Sequence, residues 1–472
     1  MAFVAVLLAT AATVVIPQHS FATDKQFTIQ LNNTVEGAEL SDHNFTFELQ
    51  DPTNNNTVLQ TKTSSEPVVS FDPITLDDQD DTSHFYRIVM KNTGEAGMTY
   101  DKQDAYVRIQ PKINLVAYQK DNTYHYDHDQ WIYHPFHATD EELQGEAYAK
   151  YNTKTHVLTF FRAPEGEYTA EKCAASGDCF VNSDIYDRHI ADDAPEYTFY
   201  YTGFEKPANF EVLAWRLSSL ATELVFEDAV RPEGEMRDWF RNYANLEKAD
   251  ISKLDTSRVT SFWFFFYECP KIGNIDISTL SFDSFDRENG MLRSFFRGTN
   301  VDEIDFRNFA DPNVDDGLLN FGYRKLEDAF GLSKTRYLNT SNFDVDDSSA
   351  AFTWMNCLEK LVVGPRYSFY NSSIFYNGSN TVSSDFLKIE TGEVDELFNS
   401  VRGEDKYHPE AAGTYIRPIC GTDPITFVST YIKPTKKDQP ANPATGDMFT
   451  ALAAILAASG LCAAFVLRAK RR

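Results

Sequence analysis

Basic residues are in short supply in this chain. Across 472 residues, 43 Lys plus Arg face 70 Asp plus Glu, a formal net charge of −27. A surface so acidic repels nucleic-acid phosphate and anionic lipid, so neither is an expected partner. Cysteine is scarce as well, with six residues, of which Cys462 sits in an apolar terminal run. Cys173 and Cys179 flank a short Gly-containing loop and can pair in an oxidising compartment. Cys269, Cys357 and Cys420 leave an odd number, which argues against a disulfide framework. Catalytic signatures are missing too: there is no Gly-x-Ser-x-Gly, no His-Glu-x-x-His and no Cys-x-x-Cys. Carboxylates abound, but a catalytic pair cannot be read without geometry. No catalytic residue, cofactor or resident metal is therefore expected.

What is present is a core-forming composition, 42% hydrophobic with 37 Phe and 24 Tyr, which is that of a largely globular chain. Both ends are apolar, in different ways. Residues 2–16 form an almost unbroken apolar run, and Ser20-Phe21-Ala22 follows with small residues at its first and third positions. This is the pattern of a signal peptide cleaved after Ala22, although no Lys or Arg precedes the run. At the other end, Met448–Leu467 contains 20 uncharged, mainly apolar residues, followed by Arg468-Ala469-Lys470-Arg471-Arg472. A helix of that length spans roughly 30 Å, the thickness of a bilayer core, and the basic cluster marks its cytoplasmic side.

The order Asn442-Pro443-Ala444-Thr445-Gly446, apolar span, basic tail resembles the sorting signals of Gram-positive cell-wall proteins, usually written LPxTG, with Asn in place of Leu. The resemblance implies that a membrane sortase cuts between Thr445 and Gly446 and passes the Thr445 acyl group to a peptidoglycan amine. The physics agrees: Pro443 biases Asn442 to an extended conformation, and Gly446 leaves the scissile bond uncrowded. Lys433–Pro440, rich in Pro and Lys, reads as a solvated spacer. The plainer reading is a tail-anchored membrane protein with an accidental pentapeptide.

Between about 236 and 364 the chain resembles itself. Segments beginning at Leu246, Ile272, Val301 and Leu358 each carry apolar residues at their first, fourth and sixth positions, and Thr335–Thr340 fits more loosely. The sixth positions, 251, 277, 306, 340 and 363, lie 23 to 34 residues apart. Each segment predicts a short strand with one buried face. The aromatic stretches Met236–Phe240, Trp263–Tyr267, Met291–Phe296, Leu326–Phe330 and Phe352–Met355 are expected to be the helical layer of a solenoid. ANLEKADISKLDTSRVTSF at 244–262 resembles the BspA-like leucine-rich repeats of bacterial surface proteins, and 339–364 and 408–416 match more loosely. That resemblance implies an adhesin or binding surface without catalytic residues. The acidic, aromatic stretches Asp283–Asn289, Asn308–Asp316 and Asn342–Ser348 suit a basic or glycosylated partner, with Asp311, Asp315 and Asp316 as candidate contacts.

From Gln26 to about Gln110 the pattern is β, with strands expected over Phe27–Leu31, Phe45–Leu49, Phe85–Met90 and Tyr106–Ile109 and turns at Asn32-Asn33, Asp51-Pro52 and Thr93-Gly94. The run from EGAEL at 36–40 to YVRIQ at 106–110 resembles the pilin isopeptide-linkage domains of Gram-positive surface proteins. In that family a first-strand Lys bonds to a late Asn, assisted by an acidic residue. Here the Lys position falls on Asn33 and the acidic position on Met90, neither of which can do the chemistry. The fold carries over and the crosslink does not. The last strand is either Tyr197–Phe204 or Ile425–Tyr431. Residues 111–235 are the least legible. His125, Asp127, His128, Asp129, His134 and His137 cluster there, but without a metal-site framework they read as a polar loop or strand.

The expected class is α+β: a β-sandwich, a degenerate leucine-rich-repeat solenoid, and a carboxy-terminal transmembrane helix. The expected divisions are a signal peptide at 1–22, a pilin-isopeptide-like sandwich at 23–115, and a β-rich region at 116–235. A repeat domain follows at 236–417, the last strand and spacer at 418–441, and the sorting signal at 442–472 with its span at 448–467. The expected function is that of a cell-wall-anchored adhesin or ligand-binding protein. Its partners would be sortase, peptidoglycan and a host or bacterial surface protein or glycan. The alternatives are a surface enzyme acting through 111–235 and a structural pilus subunit.

Overall fold

The computed structural model describes residues 24–434 apart from 121–132, 183–195, 204, 206–216, 287, 308, 310–317, 322–324, 346–350, 353, 368–384, 396–411, 420 and 422. The first unit has a two-stranded ribbon of Asp24–Phe27 with Ile74–Asp77 and two larger facing sheets. One is five-stranded and antiparallel, in the order Leu115–Lys120, Ala105–Gln110, His84–Lys91, Phe45–Asp51, Thr57–Ser64. The other runs Val68–Ser70, Gln30–Glu36, Ile425–Tyr431, Met98–Thr99. Period-2 alternation directs Phe45, Phe47, Leu49, Ile88, Leu31 and Phe427 into one shared core, where Phe47 and Phe427 meet edge to face at 5.5 Å. Of the two candidate last strands, Ile425–Tyr431 is the one that closes this unit. It lies parallel to Gln30–Glu36 in the register Leu31 with Ile425 through Glu36 with Thr430. Thr198–Thr202 instead pairs with Glu146–Asn152 and Cys179–Val181 in a separate six-stranded sheet. Residues 121–424 are thus inserted between the strand Leu115–Lys120 of the first unit and its final strand. Asn32-Asn33, expected as a turn, lies inside the strand Gln30–Glu36. Its pairing partner is almost 400 residues away, and long-range pairing overrides the local preference of Asn for turns.

The middle of the chain corrects the expected fold class. Among the described residues one α-helix occurs, Ala170–Ser176, capped by the Thr169 hydroxyl, with three short 3-10 turns in the first unit, and the rest is strand, turn and loop. The aromatic stretches are not helical. Their N–H groups bond to the next stretch instead of to residue i−4: Met236 to Ser261, Asp238 to Trp263, Phe240 to Phe265 and Asn242 to Tyr267, all to carbonyl oxygens at 2.7–3.0 Å. The same ladder continues from Phe262, Phe264, Phe266 and Glu268 to Met291, Arg293, Phe295 and Arg297. Positive φ at Asp238, Asn242, Phe264, Glu268 and Ser294 breaks any helical run at every fourth or so residue. Nor is there a solenoid. The short parallel strands fall into separate sheets, and no strand occurs between Ser261 and Glu303 among the described residues. The apolar positions are nevertheless buried. Leu246, Ile251, Ile272, Ile275, Ile277, Val301, Ile304, Phe306, Leu358, Leu361 and Val363 join one continuous core with Phe240, Phe266, Phe296 and Phe330. Rings of successive stretches stack, as with Phe266 and Phe296 at 5.8 Å and 3°. Among the described residues no helix is long and apolar enough to cross a membrane. The span expected at 448–467 lies outside them.

Candidate functional site

The sequence-predicted sorting residues Asn442, Pro443, Ala444, Thr445 and Gly446 and the cleavage position Ala22 lie outside the described residues, as do Asp311, Asp315 and Asp316 and the cluster Tyr124–Asp129. The remaining candidate metal ligands are placed apart in purpose. His137 Nε2 pairs with Asp283 Oδ2 at 2.7 Å, and His134 donates its backbone N–H to Ser278 O at 3.2 Å. No group of three or more His, Cys, Asp or Glu suited to a metal is found among the described residues. Asp286, in one of the expected acidic binding stretches, accepts from the backbone of Glu288 and Asn289 at 2.9 and 3.0 Å, which holds its carboxyl below the usual carboxylate range. Cys173 and Cys179 are joined in a disulfide, and the Cys269 thiol is fully buried and donates to Phe240 O at 2.9 Å.

Two places gather chemistry. The first is the seat of the closing strand. Asn33 is fully buried, and neither atom of its side-chain amide has a hydrogen-bond partner among the described residues. Ser429, also fully buried, donates to Met90 Sδ at 3.3 Å. Serine thus occupies the last-strand position facing Met90, and with Asn33 and Met90 it leaves amide, thioether and hydroxyl in this core. No amine or carboxyl is among them to join. Beside them runs a buried ion pair: Lys120 Nζ meets Asp101 Oδ2 at 2.5 Å, with side chains only 7% and 9% exposed. Both ions also hold the closing strand. Lys120 donates to Thr426 O at 2.9 Å and sits 4.8 Å from the centre of the Phe427 ring, while Asp101 Oδ2 accepts from Val428 N at 3.0 Å. An open hollow of about 420 Å³ lined by Met90, Met98, Tyr100, Asp101 and Lys102 adjoins this seat.

The second is the polar row on the parallel strands Glu303–Asp305, Tyr337–Thr340 and Lys360–Val363. Registration puts Glu303, Tyr337 and Lys360 in one row and Asp305 and Asn339 in the next. Ile304, Leu338 and Leu361 point the other way into the core. Lys360 Nζ lies 5.6 Å from the Tyr337 ring centre, and Asn339 Nδ2 donates to Tyr337 Oη at 3.1 Å. Asp305 is paired with Arg307 at 2.5 Å. Glu303 is 2% exposed, and burial, reinforced by the charges of Asp302 and Asp305, pushes its carboxyl up to about 8 against the opposing pull of Arg336 and Lys360. Burial, then the Asp305 charge, likewise raises the Tyr337 phenol. The row is a largely buried array of donors, acceptors and one protonatable acid.

The sequence pointed to the strands of this row but not to its side chains, because the apolar pattern names only the inward positions. Lys120 and Asp101 were not foreseen: they are isolated charged residues in β segments, and nothing local marks them as paired. No family model matches the chain, and no curated protein matches it.

Proposed function

We propose that this chain is a secreted surface protein that a sortase joins to peptidoglycan through Thr445, and that it acts by binding a surface protein or glycan. The observation that carries this reading is the ordered signal at the carboxy end: Asn442–Gly446, a 20-residue uncharged span and a basic tail. Two structural facts are consistent with it. The Cys173–Cys179 disulfide belongs to an oxidising compartment outside the cytoplasm. The closing strand ends at Tyr431, immediately before the Lys- and Pro-rich spacer, so the fold ends just ahead of the attachment segment. The resemblance of residues 244–262 to repeats of bacterial surface proteins supports a binding role over catalysis. The test is fractionation of cells expressing the protein. The wild type should appear in muramidase-released wall material and Thr445→Ala in the membrane fraction. Peptidoglycan-linked Thr445→Ala protein would refute the sortase reading.

A further inference from the structure

The first unit is interrupted by its own cargo. Its strands up to Lys120 precede the insertion and its last strand, Ile425–Tyr431, follows it, so the same strand is both a central member of a sheet and the link from the insertion to the carboxy end. The link is short and braced at both ends. Just before the strand, Arg417 is fully buried, donates to Leu358 O at 3.0 Å and lies 4.8 Å from the Phe386 ring centre. Tyr118 N donates to Gly421 O at 2.6 Å. Just after it, Ile432 N donates to Gly97 O at 2.9 Å. Gly37, at φ +85°, lies so close to the Tyr431 carbonyl that a Cβ would sit 2.3 Å from that oxygen.

We infer that Ile425–Tyr431 is a tension strap: load applied to the insertion and resisted at the carboxy end runs axially along this one strand and bypasses the rest of the first unit. The reason is geometric. A pull between the insertion and the carboxy end enters the strand at residue 424 and leaves at 432, so both ends of the same strand are drawn apart and its lateral hydrogen bonds carry no net load. A pull between the amino and carboxy ends acts differently. Gln30–Glu36 and Ile425–Tyr431 are parallel, so the force enters at the start of one and leaves at the end of the other. The six paired residues from Leu31 to Glu36 are then sheared together. The Lys120–Asp101 pair, which grips Thr426 and Val428, resists only this second pull. A ligand held by the insertion would thus strain the wall attachment without unfolding the sheet that seats it. That physiological meaning rests on the anchoring proposed above; the mechanical claim does not.

The experiment is single-molecule pulling of the full chain in detergent, fixed at its carboxy terminus, with a handle at Asp24 or at the exposed Glu247. From Asp24, Asp101→Asn should lower the rupture force of the event that frees residues 24–120, a release of at most ~350 Å at about 3.6 Å per residue. From Glu247, the same substitution should leave the force–extension trace unchanged. Phe47→Leu, a milder change in the shared core, should show the same contrast and serves if Asp101→Asn folds poorly. A Glu247 trace that weakens with either substitution overturns the strap, as does an Asp24 trace that neither affects. Failure of the Thr445→Ala fractionation would leave these traces untouched, so the two readings fall separately.

Discussion

The orphaned amide of Asn33 gives a sharp quantitative prediction. Asn33 faces the core between Leu31 and Val35 of its strand, with no exposure and no partner for either side-chain atom among the described residues. An amide buried without hydrogen bonds costs about 1–3 kcal/mol in protein mutational series. Leucine is close to asparagine in shape, carries no polar atoms, and restores apolar contact with Phe427, the residue opposite in the parallel ladder. Asn33→Leu should therefore stabilise the first unit by about 1–3 kcal/mol. If that unit melts on its own, the midpoint should rise by roughly 4–8 °C per kcal/mol, as for domains near 100 residues. Urea unfolding followed by Trp-independent far-UV circular dichroism should show a higher midpoint at an unchanged slope, since the exposed area does not change. Asn33→Ala is the control: it removes the amide but leaves a void, so it should gain less or lose. A lower urea midpoint for Asn33→Leu, with Asn33→Asp tolerated, would show that the amide has a polar role and that this account of the core is wrong.

Other outcomes follow from the same geometry. Asp101→Ala strands the Lys120 ammonium in the seat of the closing strand and should destabilise the first unit by about 3–5 kcal/mol, whereas Lys120→Met with Asp101→Leu should cost far less; denaturant midpoints compare them. The Glu303 acid is raised to about 8 in the fold against 4.5 for the free group, so the folded state binds its proton more tightly and stability should fall as pH rises from about 4.5 to about 8. Glu303→Gln should flatten that decline, which melting points across the window will show. The intact mass of the folded chain should show no loss of ammonia or water, because Asn33, Met90 and Ser429 supply no amine and no carboxyl to join and Lys120 meets Asp101 as an ion pair; a loss of water would point to a bond between those two.

The contrast between what sequence pattern disclosed and what it hid has physical causes. Strand positions were readable where alternation is strong: Phe45–Leu49, Phe85–Met90 and Tyr106–Ile109 all lie in strands, and the apolar first, fourth and sixth positions of the segments at Leu246, Val301 and Leu358 are buried except for the half-buried Ala249. Pattern reading failed on the aromatic layer because spacing of Phe and Trp reports burial, not the direction of the backbone bonds. In Trp263–Tyr267 those bonds leave the segment altogether. The segment 272–277 kept its burial but formed no strand, and Lys248–Asp250 and Glu303–Asp305 accordingly stand at the ends of their sheets. Of the chemical features, the Cys173–Cys179 pair was readable because its loop is short. The Lys120–Asp101 clamp and the raised Glu303 acid were not, since each depends on which distant segments cover it.

The rungs between aromatic stretches carry a further implication for how such a chain can change. The bonds from Met236 to Ser261, Phe262 to Met291, Leu292 to Lys325 and Phe330 to Ala351 join residues 25, 29, 33 and 21 positions apart. Each rung fixes only where two stretches meet, and the path between them is left open. Lengthening such a path costs little, about 0.6 kcal/mol for each doubling of a flexible loop. The layer is therefore a rack with adjustable spacing, in which outward loops can lengthen, shorten or change composition while the stacked rings keep their places. Variation in what the surface presents is thereby uncoupled from the integrity of what supports it.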